Sequence, residues 1–279
     1  HNANVQLSLL DKAELNIENF YFDTMLASHI IGKNLDLYSL SITIVGTEIE
    51  LIKPTKSGLI IAENDTPIEQ LAALSGQITS SIKKISAHLE NELIETKNIK
   101  NFLDVDMHLI PVLVQMQKNG ITLDINLIKK MNKETSANLN KVESSIYNEI
   151  GYEFNINSSK QLSDVLYKDL ALKPSKSIKT GFSTNASSLE TIRQNLNNGI
   201  ITDPDPRSLS ILTAVQEYRQ LSKMKSTYLD TLPLLVNPNT KKIHTKYNQT
   251  GSSTGRISST EPNIQNIPIK IGRASCRER

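Results

Sequence analysis

Between Asp124 and Gly151 the chain carries the pattern that leaves least choice of local structure. Ile128, Met131, Leu139, Val142 and Ile146 fall on one helical face, and Asn, Lys, Glu and Ser fill most of the remainder. Asp124 stands where it can cap the first turn. The spacing predicts a helix of about 25 residues, roughly 37 Å long, with much of its surface wet. A chain of 279 residues is long enough for a second unit around such a helix, because single cores stop growing well below this length. Hydrophobic residues make up 38% and charged residues 22%, and no apolar run approaches the roughly 20 residues of a membrane-spanning helix.

Charge distribution narrows the class further. The net charge of +2 is uninformative, but Arg219, Lys223, Lys225, Lys241, Lys242, Lys246, Arg256 and Lys270 face only Asp230 and Glu261 between residues 219 and 270. A local positive excess of this kind suits a polyphosphate partner. A single cysteine, Cys276, excludes an internal disulfide and fits a reducing compartment. Cys and His do not cluster as structural zinc requires. The chain opens His1-Asn2-Ala3-Asn4, without an initiator Met or apolar leader, and so reads as truncated.

Local signals place the remaining elements. Thr66-Pro67-Ile68-Glu69 reads as a capping box, and Leu71, Leu74, Ile78, Ile82, Ile85 and Leu89 form the stripe of the helix that follows. Leu40 to Gly46 fits a strand or a helix end equally. Phe102 to Met116 is an apolar helix expected to kink at Pro111, ahead of an Asn119-Gly120 turn. Ser158 and Gln161 have capping-box spacing, residues 173–184 read as a loop, and residues 209–229 as a helix. Leu234 to Val236 and Ile243 to Tyr247 are expected to pair as a hairpin across Asn237-Pro238-Asn239.

Residues 244–268, HTKYNQTGSSTGRISSTEPNIQNIP, resemble the segment that family A DNA polymerases of the bacterial DNA polymerase I type carry ahead of their first polymerase carboxylate motif. The resemblance extends to Tyr218-Arg219-Gln220-Leu221-Ser222-Lys223-Met224-Lys225-Ser226-Thr227-Tyr228, to Phe154 through Leu162, to Asn119-Gly120-Ile121 and, more weakly, to Phe22 through Ser28. It implies an α+β, multidomain chain: the C-terminal part of a ribonuclease-H-like 3′–5′ exonuclease domain over 1–95, a mainly helical thumb over 98–232, and the first strands of a palm over 233–270. Residues 271–279 depart from the pattern and read as a non-native tail.

The same resemblance assigns roles. Arg256, Asn263, Gln265 and Asn266, with Thr254 in the Arg256 turn, would contact primer and template, while Lys223, Lys225, Ser226 and Thr227 would hold phosphates. Ser158, Ser159 and Lys160 combine a helix cap with an anion site. Taken alone, residues 263–266 read as a polar loop around Ile264 and Ile267. Where proofreading relatives place metal-binding acids this chain has Gln6 and Gln77, with Leu71 at the position of a tyrosine, so the exonuclease-like domain is expected to be inactive. Asp11, Glu14 and Asp23 lie nearby and read as solvated charges or a helix cap. The palm carboxylates that hold Mg²⁺ in the full-length protein fall beyond this chain, which is therefore expected to be an inactive fragment binding no cofactor. Primer-template DNA, deoxynucleoside triphosphates for the full-length protein, a monomeric state and a cytoplasmic, nucleoid-associated location are the further implications. An active 3′–5′ exonuclease and a non-catalytic DNA-binding protein derived from a polymerase are the alternatives.

Overall fold

Helices dominate the computed structural model, which describes residues 1–15, 17, 20–49, 67–178, 181–201 and 203–268. In chain order they are α1 Ala3–Lys12, α2 Thr24–Ile30, α3 Leu37–Leu40, α4 Ile68–Glu95, α5 Ile99–Asn101, α6 Met107–Asn119, α7 Ile125–Ile150, α8 Ser159–Asp164, α9 Ala186–Asn197 and α10 Ser208–Met224. The strands are two or three residues long: β1 Ile121–Thr122, β2 Ser177–Ile178, β3 Gly181–Phe182, β4 Lys242–Ile243, β5 Lys246–Asn248 and β6 Ser258–Thr260. No described helix is long and apolar enough to cross a membrane.

The chain divides into two units, one of residues 1–121 with 244–266 and one of 122–243 with the residues from Ile267. In the first unit α4 turns its stripe inward: Leu74, Ile85, Leu89 and Leu93 are buried with Leu26, Leu40, Phe102, Met107 and Ile110. Phe22 and Phe102 add a ring contact at 4.9 Å. The helix begins at Ile68 with Pro67 at its N-cap, and Thr66 lies outside the described residues. Leu40 to Gly46 resolves as helix, because α3 runs on into a wide turn over Ser41–Val45. Residues 99–119, assigned to the thumb by resemblance, contribute Phe102, Met107 and Ile110 to this first core. Pro111 sits inside α6, preceded by a wide turn at Phe102–Asp106 in which the Met107 N–H reaches the Phe102 carbonyl. His108 Nδ1 lies 2.7 Å from the Leu103 carbonyl; since a carbonyl only accepts, the imidazole proton is on Nδ1.

Two local devices hold this unit. The Asp23 carboxylate, 4% exposed, caps α2 by accepting from the Met25 and Leu26 N–H groups at 2.8 and 3.2 Å. It also accepts from Asn2 and Ala3 at 3.1 and 2.5 Å, so one side chain serves the N-termini of both α1 and α2. This is the helix-cap reading of Asp23 realised twice. Gln117 on α6 is the second device. Its Nε2 donates to Asn4 Oδ1 and Ser8 Oγ at 3.0 and 3.2 Å, its Oε1 accepts from the Tyr247 N–H at 2.8 Å, and its carbonyl accepts from His244 Nδ1 at 2.8 Å.

In the second unit α7 spans Ile125–Ile150 as its pattern requires, with Asp124 Oδ1 accepting from the Leu127 N–H at 2.9 Å. Among its residues only Ile128, Thr135 and Ile146 are buried, which leaves most of the helix wet. Ile146 joins Leu162, Leu166, Leu189, Ile192, Ile211, Leu212 and Val215 in the core shared by α7, α8, α9 and α10. Burial first, and then the Glu143 carboxylate, push the Tyr147 hydroxyl up to about 12, so it stays a donor to the Phe154 carbonyl at 2.7 Å. Two expectations are corrected here. Residues 173–184 are not wholly loop, because β2 and β3 pair antiparallel with Ser177 opposite Phe182. Leu234 and Leu235 are not strand: Pro233 opens a 3₁₀ turn over Leu232–Leu235, since its fixed φ and missing N–H suit a helical first turn. The Asn237 turn survives that change, with Asn237 Oδ1 accepting from the Asn239 and Thr240 N–H groups.

Replacing Asp23 leaves four N–H groups without their acceptor in a nearly water-free position. Asp23→Ala is expected to cost about 2 to 3 kcal/mol of stability. Asp11→Ala, which removes only the exposed pair with Lys118, should cost below about 1 kcal/mol. Urea unfolding at unchanged m-value separates the two; equal midpoints would refute the double cap.

Candidate nucleic-acid interface

The basic stretch loses part of its charge within the fold. Lys225 pairs with Asp230 at 2.8 Å, and Lys246 pairs with Glu261 across the β5–β6 ladder. Those carboxylates are the two acids of the stretch. Arg219 is turned inward and donates to the Thr184 carbonyl. Lys223 and Arg256 are exposed, and among the described residues neither has a hydrogen bond or ion pair.

On the second unit the sites expected to hold phosphate come together at the end of α10. Lys223 lies in its last turn, and Lys225, Ser226 and Thr227 follow in a wide turn closed by the Asp230 N–H on the Lys225 carbonyl at 2.9 Å. Ser226 and Thr227 are exposed there. Lys225 is the largest influence holding the Asp230 carboxyl below its usual range, followed by Asn132 of α7, whose Nδ2 donates to it at 2.7 Å. Lys225 is thus less available to an outside anion than Lys223. Asn157 Nδ2 donates to Ser222 Oγ at 3.4 Å, which brings the start of α8 beside this turn. Ser158 Oγ accepts from the Gln161 N–H at 3.4 Å as its spacing predicts, but Gln161 Oε1 reaches back to the Asn155 N–H at 2.7 Å, not to Ser158. Ser159 and Lys160 are exposed in the first turn.

On the first unit β5 and β6 pair antiparallel in the register Lys246–Thr260, Tyr247–Ser259 and Asn248–Ser258, and the intervening loop carries Thr254, Gly255 and Arg256. Gly255 has φ +73°, and a Cβ there would meet nothing within 4 Å. Conformation rather than internal crowding therefore calls for glycine, and the outer side stays open to another molecule. Gly251 differs: an added Cβ would fall 2.2 Å from Ser258 Oγ and 3.2 Å from its Cβ, so the Ser258 side chain would have to turn aside. Ser252 Oγ ties the Thr254 hydroxyl at 2.7 Å and accepts from the Thr254 N–H at 3.2 Å.

After β6 the buried Ser259 hydroxyl organises residues 263–266. It donates to Asn263 Oδ1 at 3.4 Å and accepts from the Ile264 and Gln265 N–H groups at 3.2 and 3.4 Å. Gln265 Nε2 donates to the Ile257 carbonyl at 2.7 Å. The Asn263 amide donor and the Gln265 amide acceptor remain on exposed side chains, and Asn266 is exposed beside them. Ser259 lies within the 244–268 segment, but its partners four to six residues ahead are two backbone N–H groups and one amide, which no residue spacing signals.

Gln6 and Gln77 are exposed on α1 and α4, and Leu71 is half-buried on α4. Among the described residues no group of three or more of His, Cys, Asp and Glu is placed together to hold a metal ion.

The model of DNA polymerase family A matches residues 125–278, more than half of the chain and across most of the tail set apart above, whose residues lie outside those described. DNA polymerase I of Chloroflexus aurantiacus is 36% identical over 97% of this chain and 28% of its own length. DNA polymerase I of Bacillus subtilis is 32% identical over 92% of this chain and, again, 28% of its own. The chain thus spans less than a third of these relatives. The POL domain of Pol1 from M. smegmatis, solved in complex with DNA primer-template and dNTP, has the same fold with a TM-score of 0.77, at 24% identity over 97% of this chain and 42% of that one.

Ser259→Ala removes one hydroxyl that serves three partners and should cost about 1 to 3 kcal/mol locally. Hydrogen exchange at Ile264 and Gln265 is expected to rise while α4 amides stay protected. Unchanged exchange at both residues would remove Ser259 from its organising place.

Proposed function

The chain belongs to DNA polymerase family A, and we propose that it supplies part of the DNA-holding surface of a DNA-directed DNA polymerase of the DNA polymerase I type. In this reading residues 1–95 are an inactive exonuclease-like domain, 98–232 the thumb and 233–270 the start of the palm. The full-length protein acts on primer-template DNA and deoxynucleoside triphosphates with Mg²⁺, as a cytoplasmic, nucleoid-associated monomer.

The observation that carries the reading is Arg256, exposed and unpaired on a glycine turn in the same unit as the Asn263 donor. Guanidinium and amide N–H groups match the minor-groove acceptors N3 and O2 that every base pair offers, so they position a duplex without reading its sequence. Lys223, Ser226, Thr227 and the α8 start supply charge and donors for phosphates, with Lys225 moderated by Asp230. Exposed glutamines at positions 6 and 77 support the loss of proofreading, because a neutral amide is a poor ligand for a hard cation.

Fluorescence anisotropy on a primer-template across a salt series tests the division of labour. Lys223→Ala should lower the log–log salt slope by about 0.9, and Lys225→Ala by less because Asp230 already neutralises it. Arg256→Ala should cost about 1 to 3 kcal/mol with little change in slope. Parent-like affinity for a folded Arg256→Ala protein would defeat the minor-groove assignment.

Proofreading is tested separately with a 5′-labelled mismatched primer. The protein should leave it intact in Mg²⁺ or Mn²⁺; a metal-dependent ladder lost on mutating Asp11, and lost with Asp23 mutated in a protein shown to stay folded, would favour an active exonuclease.

A further inference from the structure

The loop that delivers Arg256 is too long for its strands to fix. β5 and β6 share three residue pairs, and residues 249–257 between them add no residue to the buried core. A two-stranded ladder of that size is marginal alone, and an untethered loop must lose its conformational freedom on meeting a ligand. The order visible in the loop comes instead from polar ties, and they converge on Ser252. Its carbonyl accepts from the Gly255 N–H at 3.3 Å, closing the turn directly before Arg256, and its hydroxyl holds Thr254.

The Ser252 carbonyl takes a second bond from outside the loop. His29, in the last turn of α2, places Nε2 3.1 Å away, and because a carbonyl only accepts, that nitrogen carries the proton. The other end of the loop is held in a parallel way, by Gln249 Nε2 donating to the Asp106 carbonyl at 3.0 Å. Asp106 is also within electrostatic reach of His29: burial pushes its carboxyl up, and the imidazole opposes that shift. His29 stands on the helix whose start Asp23 caps, so the tether runs to a fixed element.

We propose that His29 is a positioning residue for Arg256, its Nε2–H fixing the Ser252 carbonyl around which the Arg256 turn closes. This rests on the reading of Arg256 as a DNA contact. Pre-ordering the turn spares that ordering cost at the moment of binding, which raises affinity without any contact between His29 and DNA.

The full chain, its His29→Ala, His29→Gln and Arg256→Ala variants and the His29→Ala/Arg256→Ala double variant test it, using anisotropy on a primer-template and hydrogen exchange. His29→Ala is expected to weaken binding about three- to tenfold, the range of one neutral hydrogen bond. The loss should vanish when Arg256 is already alanine, and glutamine, whose Nε2 can stand where the imidazole Nε2 stood, should restore binding. Exchange at residues 250–256 should rise in His29→Ala and return in His29→Gln, with α4 unchanged. Unchanged loop exchange in His29→Ala overturns the proposal, as does an equal binding loss in the Arg256→Ala background. Raised loop exchange together with parent-like binding by Arg256→Ala would instead leave the tether standing and remove the DNA role of Arg256.

Discussion

The first unit depends on Gln117 holding together stretches that are remote in sequence. Its side chain joins the first turns of α1 to the Tyr247 amide, and its carbonyl receives His244. The chain leaves this body at Ile121 and returns to it at His244. Closing such a long loop carries an entropic cost that grows only slowly with length, so a few well-made bonds and a shared core suffice to bring the ends together. Residues 244–266, which include Arg256, Asn263 and Gln265, are thereby tied to α6 through Gln117 and to α2 through His29.

Electrostatics follows from which charges the fold consumes. The Lys225–Asp230 and Lys246–Glu261 pairs lie near water and contribute little stability. Their larger effect is on availability. They remove the stretch's two acids as sources of repulsion toward a phosphate and leave Lys223 and Arg256 exposed with unspent donors. Arg219 belongs to the same basic count but donates to the Thr184 carbonyl, and so helps to fix residues of the second unit to one another.

What was legible in the sequence is what short-range chemistry decides. Asp124 and Ser158 cap as their types and spacing imply, and the stripes of α4 and α7 face their cores because period and burial agree. Leu234 and Leu235 misled because an apolar run reads as strand until Pro233 is given its weight as the opener of a helical turn. Arg256 and Gly255 stood out through a motif, whereas Ser259, Gln117 and His29 did not. Ser259 works through backbone N–H groups that have no letter in the sequence, and Gln117 and His29 find partners more than a hundred positions away. The acids near α1 show the same limit from the other side: Asp23 read as a solvated charge or a helix cap, and only the meeting of two helix starts makes it a shared cap.

On the proposed reading, a surface that accepts any base pair obtains its precision not from base-specific contacts but from where its donors are held. Here the holding is done by hydrogen bonds and not by apolar packing. Ser259 sets Asn263 and the Ile264 and Gln265 amides, Gln265 is drawn onto the Ile257 carbonyl, and Ser252 gathers Thr254, Gly255 and His29. Polar tethers keep the side chains that face outward in reach of water and of a ligand, which a buried apolar anchor would not. They also make the geometry cooperative. Asn263 and Gln265 each use one end of their amide in a tether and leave the other free for an outside partner, whereas Ser259, Ser252 and His29 only hold the loop in place.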